Sequence, residues 1–278
     1  MAKTVIAFDL YGTLLSTESI ANELARIYGE DEAKLIATQA RRYQLEYTWR
    51  INSMDDVAFD TGDIHSSMLR STSGDATLFT PRPVTDDQVG LYRSFSELTR
   101  HSFRQATAEI GLELSRDQEE RILDAYNGLD TFPDADKGLA LVSHTPSLKP
   151  YIFSNGTMAM ITSSLKTSPS LAKSGTTFSE SNIVSVDPLG VFKPDPRTYR
   201  HMAEMAGLTH QLDKVWLVSS NPFDAAGAVA AGLRSVWVGR QGTGWIDGLG
   251  GALGVSPTAV VGSVEEAVRE IIRLDGLD

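Results

Sequence analysis

Residues 4–16 read TVIAFDLYGTLLS. The first five are apolar or β-branched, the composition of a strand buried on both faces, and the run stops at Asp9. Gly12 marks a turn three residues later. Short runs of the same kind recur at 151–153 (YIF), 215–218 (VWLV) and 235–238 (SVWV), each followed by polar or Gly-bearing turns and a helical pattern. That alternation predicts a parallel α/β sheet. Helical periodicity falls at about Thr17 to Tyr28, Asp31 to Ile51, Leu91 to Ile110, Arg116 to Tyr126, Arg197 to Met205, Asp224 to Ala231 and Val264 to Ile272. Between Thr17 and Asp130 there is no convincing buried strand, so this segment reads as a mostly helical domain inserted after the first strand. The expected division is a core of 1–16 and 131–278 and a helical insertion of 17–130. Within the insertion, Met54 to Gly90 is polar and interrupted by Gly62, Gly74, Pro81 and Pro83, which predicts a long loop. The Gly-bearing stretch GRQGTGWIDGLGG, 239–251, lacks dinucleotide-binding spacing and is expected to be a surface loop.

The chain has 278 residues, 41% hydrophobic and 22% charged, enough for a full core. Twenty-five basic against 36 acidic residues give a net charge of −11, which disfavours nucleic acid or an anionic membrane as a partner. No cysteine is present, so disulfides, thiolate metal sites and Cys nucleophiles are excluded. The N-terminal segment has no cleavage signal and no run of about 18 apolar residues occurs, so the expectation is a soluble, cytoplasmic protein.

Ligands of open α/β sheets bind outside the carboxyl ends of the strands. The residues to inspect are therefore Asp9, Tyr11 and Thr13 after the first run, Ser154 and Asn155 after YIF, and Ser219, Ser220, Asn221 and Asp224 after VWLV, with Lys193 in the turn-like VFKPDP. Turn preference alone explains any one of them, but poorly explains their convergence.

FDLYGTLL, FSNGT, FKPDPRTY and VSSNPFDAAGA, in this order, resemble the four motifs of the haloacid dehalogenase-like superfamily, and ARRYQLEYTW (40–49) is similar to the cap segment of its 2-haloacid dehalogenase branch. The resemblance implies a Rossmann-like core with a helical cap. It makes Asp9 the nucleophile, Thr13 and Ser154 orienting donors, and Lys193 the cation beside the nucleophile. It makes Arg41, Asn155 and Phe223 a halide cradle, Ser219 and Asn221 supports, Tyr199 an active-site phenol that lines the substrate site together with Tyr11, and Asp224 the carboxylate that positions water. It also implies a small carboxylate substrate, and allows a homodimer through the cap.

Phosphatases of this superfamily carry a second aspartate two positions after the nucleophile to protonate a leaving alkoxide. Here that residue is Tyr11, with an ordinary pKa near ~10, whereas halide leaves without a proton. In those phosphatases VSSN would read approximately VGDS and supply a magnesium-ligating aspartate; Ser220 stands there instead. The expectation is hydrolytic dehalogenation at C2 of a 2-haloalkanoic acid through an ester on Asp9, with no metal or cofactor. Two departures bear on substrate. Ala40 takes the place of a tryptophan frequent in the family, predicting a roomier or differently shaped pocket, and the 54–90 loop is long. The alternatives are a related hydrolase opening another C–X bond or a strained ring on a larger carboxylate, a magnesium-dependent phosphatase, and a non-catalytic interaction protein.

Overall fold

The computed structural model describes residues 4–59, 90–168, 171 and 178–277. Among the described residues, six strands form one fully parallel sheet in the order β3-β2-β1-β4-β5-β6, where β1 is Thr4–Phe8, β2 Leu148–Ser154, β3 Ile183–Ser185, β4 Val215–Ser219, β5 Arg234–Val238 and β6 Ala259–Val261. β1 lies at the centre, with Val5 opposite Lys149 on one side and Val215 on the other, which explains why its run is apolar without alternation. Ile6, Ala7 and Phe8 are fully buried. The chain moves outward from β1 to β3 on one side and returns to β4 on the other. The strand order therefore reverses beside β1, the place where ligands of open α/β sheets bind.

The helices are α1 Ala21–Tyr28, α2 Glu30–Phe59, α3 Phe95–Glu109, α4 Arg116–Tyr126, α5 Pro133–Ser143, α6 Met158–Thr167, α7 Pro196–Met205, α8 Pro222–Ala230, α9 Gly248–Leu253 and α10 Val264–Asp275. The expected α/β class with a helical insertion after the first strand is found. β3 and β6, three residues each, lie outside the sequence expectation because runs this short carry no periodicity.

The insertion leaves and rejoins the core at one place. Leu15 forms an isolated antiparallel bridge with Thr131, Ser16 N–H donates to the Asp130 carbonyl at 2.8 Å, and Phe132 N–H donates to the Leu14 carbonyl at 3.0 Å. Beyond it, α2 and α3 pack along each other. Helix α3 starts at Phe95 rather than near Leu91, because Ser94 and Glu97 form a reciprocal capping box; Ser115 and Gln118 do the same for α4. Helix α2 continues to Phe59, six residues into the segment expected to be loop from Met54; the remainder of that expected loop, 60–89, lies outside the described residues. The expected surface loop 239–251 is also corrected in part. Asp247 accepts from Gly250 N–H and caps α9, so a helix does open there. Among the described residues, no helix is long and apolar enough to cross a membrane.

Candidate active site

Asp9 follows the last residue of β1 and is fixed by its own backbone, whose N–H donates to the Val218 carbonyl of β4 at 3.0 Å. The next residues form a tight loop closed on the Leu10 carbonyl, which accepts from the N–H groups of Thr13, Leu14 and Leu15. Gly12 sits in this loop at φ +88°, and a Cβ there would stand 3.4 Å from both Arg41 Nη2 and Asn221 Oδ1. The position combines a left-handed backbone with close approach of two polar side chains, which only glycine accommodates without strain.

Three donors surround the Asp9 carboxylate. Thr13 Oγ1 donates to Oδ2 at 2.7 Å, Asn221 Nδ2 donates to the same oxygen at 2.7 Å, and Lys193 Nζ donates to Oδ1 at 2.9 Å. Behind them, Ser220 N–H donates to Thr13 Oγ1 at 2.9 Å, so the single Thr13 proton is directed to Asp9. Lys193 is 1% exposed and also donates to Asp224 Oδ2 at 2.8 Å and to the Phe153 carbonyl at 3.1 Å. One ammonium thus joins two buried carboxylates. Burial on its own would push the Lys193 ammonium down, but Asp224 and Asp9 outweigh it and hold the group above the ordinary lysine range. Asp224 is raised above the ordinary aspartate range, first by burial and then by the Asp9 charge, against the opposing pull of Lys193 and Tyr199. Tyr199, fully buried, donates to Asp224 Oδ1 at 2.9 Å and is itself raised by burial and by that carboxylate.

The cap side contributes Arg41 from α2. Its Nη2 lies 3.2 Å from the Tyr11 carbonyl and 3.2 Å from Asn221 Oδ1, and its Nη1 donates to Gln44 Oε1 at 2.7 Å. Gln44 is buried and engaged by Tyr126 O–H at 3.1 Å and by Thr99 Oγ1 at 2.6 Å, so the guanidinium is aimed by a polar network inside the cap. Asn52, later on α2, donates from Nδ2 to the Phe192 carbonyl at 2.7 Å and accepts from Phe192 N–H at 2.9 Å, one residue before Lys193. Trp49 meets Phe223 edge to face at 5.5 Å between ring centroids.

The remaining expected residues are in place with partners of their own. Ser219 Oγ accepts from Asn221 N–H at 3.1 Å, and Asn155 Oδ1 accepts from Lys193 N–H at 2.9 Å. Ser154 Oγ accepts from Gly156 N–H at 3.0 Å rather than turning to Asp9. Tyr11 stacks with Tyr126 at 5.5 Å and lies 5.7 Å from Phe95; its hydroxyl faces Ser164, and burial raises it above the ordinary phenol range. The roomier pocket expected from Ala40 is not found beside that residue. Ala40 is 1% exposed, and the cavity it shares with Arg41, Gln44, Phe103 and Tyr126 is about 10 Å³, no larger than one water. Three residues of this region escaped the sequence reading: Gln44, Asn52 and Arg240. Arg240 is the second residue after the SVWV run, so inspection of residues after every strand would have reached it.

A divalent ion does not fit this donor set. Magnesium requires several hard anionic oxygens in octahedral array. Here Lys193 Nζ already bonds both carboxylates, and Ser220 Oγ accepts from Arg240 Nη1 at 2.8 Å, placing a second cation beside the position where a further carboxylate would be needed.

The chain is 31% identical over 240 residues to an (S)-2-haloacid dehalogenase of Xanthobacter autotrophicus, covering 86% of this chain and 76% of that one. An (S)-2-haloacid dehalogenase of Pseudomonas putida is 28% identical across 94% of this chain and 93% of its own. Among solved structures, the L-2-haloacid dehalogenase of X. autotrophicus with chloropropionic acid covalently bound superposes with a TM-score of 0.71 at 26% identity, covering 98% of both chains. The family model for haloacid dehalogenase-like hydrolases matches residues 3–232. With the aspartate at the tip of β1 and the lysine that joins it to Asp224, these matches establish that the chain belongs to the haloacid dehalogenase-like hydrolases.

Proposed function

We propose that this hydrolase displaces halide from C2 of a 2-haloalkanoic acid through an ester on Asp9, without a divalent ion, and that 17–130 serves as the cap over a core of 1–16 and 131–278. The observation that carries this reading is that Ser220, whose Oγ accepts from Arg240 Nη1, stands where the resemblance to the superfamily's phosphatases would put a metal-ligating aspartate, while the Lys193 ammonium pairs Asp9 with Asp224. Two negative charges at ~4 Å with an effective dielectric of about 20 repel by ~4 kcal/mol, so a carboxylate attacking a haloacid needs fixed cations. Lys193 and Arg41 supply them.

In the first step Asp9 attacks C2, the C2–halogen bond breaks with its electron pair going to halide, and the carbon inverts. Arg41, Asn155 and Phe223 would cradle the departing halide. Ser154 accepts from Gly156 N–H and so retains its own proton for the substrate carboxylate. In the second step Asp224 takes a proton from water, which attacks the Asp9 ester carbonyl. Thr13, Asn221 and Lys193 are aligned to stabilise the oxyanion. Collapse expels the alkoxide, which takes the proton back from Asp224 and leaves as the 2-hydroxy acid, and the regenerated Asp9 carboxylic acid loses its proton to solvent. Tyr11, with its hydroxyl on Ser164, forms an aromatic wall rather than a proton donor. The covalently bound chloropropionic acid in the X. autotrophicus relative is consistent with this sequence of steps.

Halide release from 2-chloropropionate with chelator present tests the proposal. Stoichiometric halide and 2-hydroxypropionate are expected. Phosphate release from phosphomonoesters restored only by magnesium would replace this reading with the phosphatase one, and inactivity toward both would leave a different substrate or an interaction protein.

A further inference from the structure

Arg240 lies at the carboxyl edge of the sheet just after β5 and has no part in the steps above. Its guanidinium is spent on the back of the nucleophile loop. Nη2 donates to the Thr13 carbonyl at 2.8 Å and Nη1 to Ser220 Oγ at 2.8 Å. Nε and Nη2 form a two-pronged pair with the Asp134 carboxylate, 2.9 Å each, and the Phe132 ring lies 3.8 Å beneath. Asp134 is anchored in turn by Val264 N–H at 2.8 Å. Burial would raise this carboxyl, but Arg240 and the Val264 N–H hold it below the ordinary aspartate range, so the pair is charged.

The two groups that Arg240 grips meet at the nucleophile. Ser220 N–H donates to Thr13 Oγ1, and Thr13 Oγ1 donates to Asp9 Oδ2. The direction of the Thr13 proton depends on Ser220 and Thr13 keeping their relative positions, and the guanidinium fork bridges those two residues outside the pocket. We infer that Arg240, anchored by Asp134, is a positioning residue that clamps Thr13 to Ser220 and so aims the Thr13 hydroxyl at the nucleophile. A planar guanidinium serves the three acceptors at once, which a lysine ammonium on a flexible stem does not. The inference rests on Asp9 being the nucleophile.

The test compares wild type with Arg240→Ala and Arg240→Lys in halide release from 2-chloropropionate, with and without added guanidinium chloride, together with crystal structures of the variants. A displacement of about 1 Å at a reacting group costs about a hundredfold in rate. Arg240→Ala is expected to lose ~10- to 100-fold in kcat with KM within about threefold, millimolar guanidinium is expected to restore part of the loss, and Lys should retain an intermediate rate. The Thr13 Oγ1 to Asp9 Oδ2 contact should open beyond about 3.5 Å in the Ala variant. A folded variant with kcat within twofold of wild type, or one that keeps this contact intact, overturns the clamp. Should Arg240→Ala not fold, the Lys variant decides by the same two readouts. Failure of the wild type itself to release halide counts against the proposed reaction, and the crystallographic comparison then decides the clamp independently.

Discussion

Lys193 is the side chain on which the site's electrostatics turn, since it is the shared cation of two buried carboxylates. Lys193→Met leaves Asp9 and Asp224 buried without it, and breaking such an arrangement costs about 3–5 kcal/mol. Chemical denaturation should show that loss together with abolished halide release; a variant of wild-type stability would mean that the ammonium contributes little to holding the pair. Asp224→Asn removes the proposed base, worth ~10²–10⁴ in rate, so the second step should stall. Mass spectrometry after substrate exposure should then find an Asp9 peptide carrying the 1-carboxyalkyl ester of the substrate. Tyr199 stabilises the charged form of Asp224 by its hydrogen bond, so Tyr199→Phe should push that carboxyl further up. Because the base acts deprotonated, the acid limb of kcat should move to higher pH; an unmoved or lowered limb would contradict the assignment. At this scale the motif residues were legible because four short strings fix their order around one strand end. Ser154 pairing with Gly156, Tyr11 with Ser164 and Arg240 with Thr13 were not, since such partners are set by tertiary packing that no spacing encodes.

Helices and turns place these side chains, and their sequence signals were of unequal strength. The spacing of Val264, Ala267, Val268 and Ile271 gives α10 directly, all four being buried. It packs on α5, where a Cβ at Gly138 would come within 2.6 Å of Val264 Cγ1 and 2.9 Å of its backbone carbon. Gly138→Ala should therefore destabilise by about 1–3 kcal/mol despite the better helix propensity of alanine, measurable as a lower midpoint in urea. α5 carried too weak a pattern to be placed from sequence, and the end of α2 was obscured by the polar character of the segment after Met54. Asn52 shows the consequence. It lies near that end of α2, and its amide pins the Phe192 backbone next to Lys193. Asn52→Ala removes both bonds at a cost of ~1–3 kcal/mol for the polar groups left unpaired. The expected outcome is a lower kcat together with an unfolding midpoint lowered by a few degrees, read by steady-state kinetics beside thermal denaturation.

At the scale of the molecule, parallel strand order, crossover and insertion converge on one end of the sheet: β1 runs into Asp9, β2 ends in Ser154, β4 in Ser219, and the cap brings Arg41 over them. The topology was readable from the alternation of apolar runs and helices, whereas the small space beside Ala40 depended on how α2, α3 and α4 close together. The central claim is that Asp9 itself becomes bonded to the substrate carbon. A single turnover in ¹⁸O-enriched water with enzyme in excess tests it most directly: the label is predicted in the Asp9 carboxyl group with unlabelled oxygen in the first 2-hydroxy acid formed, and label in that product with none in Asp9 would contradict the account.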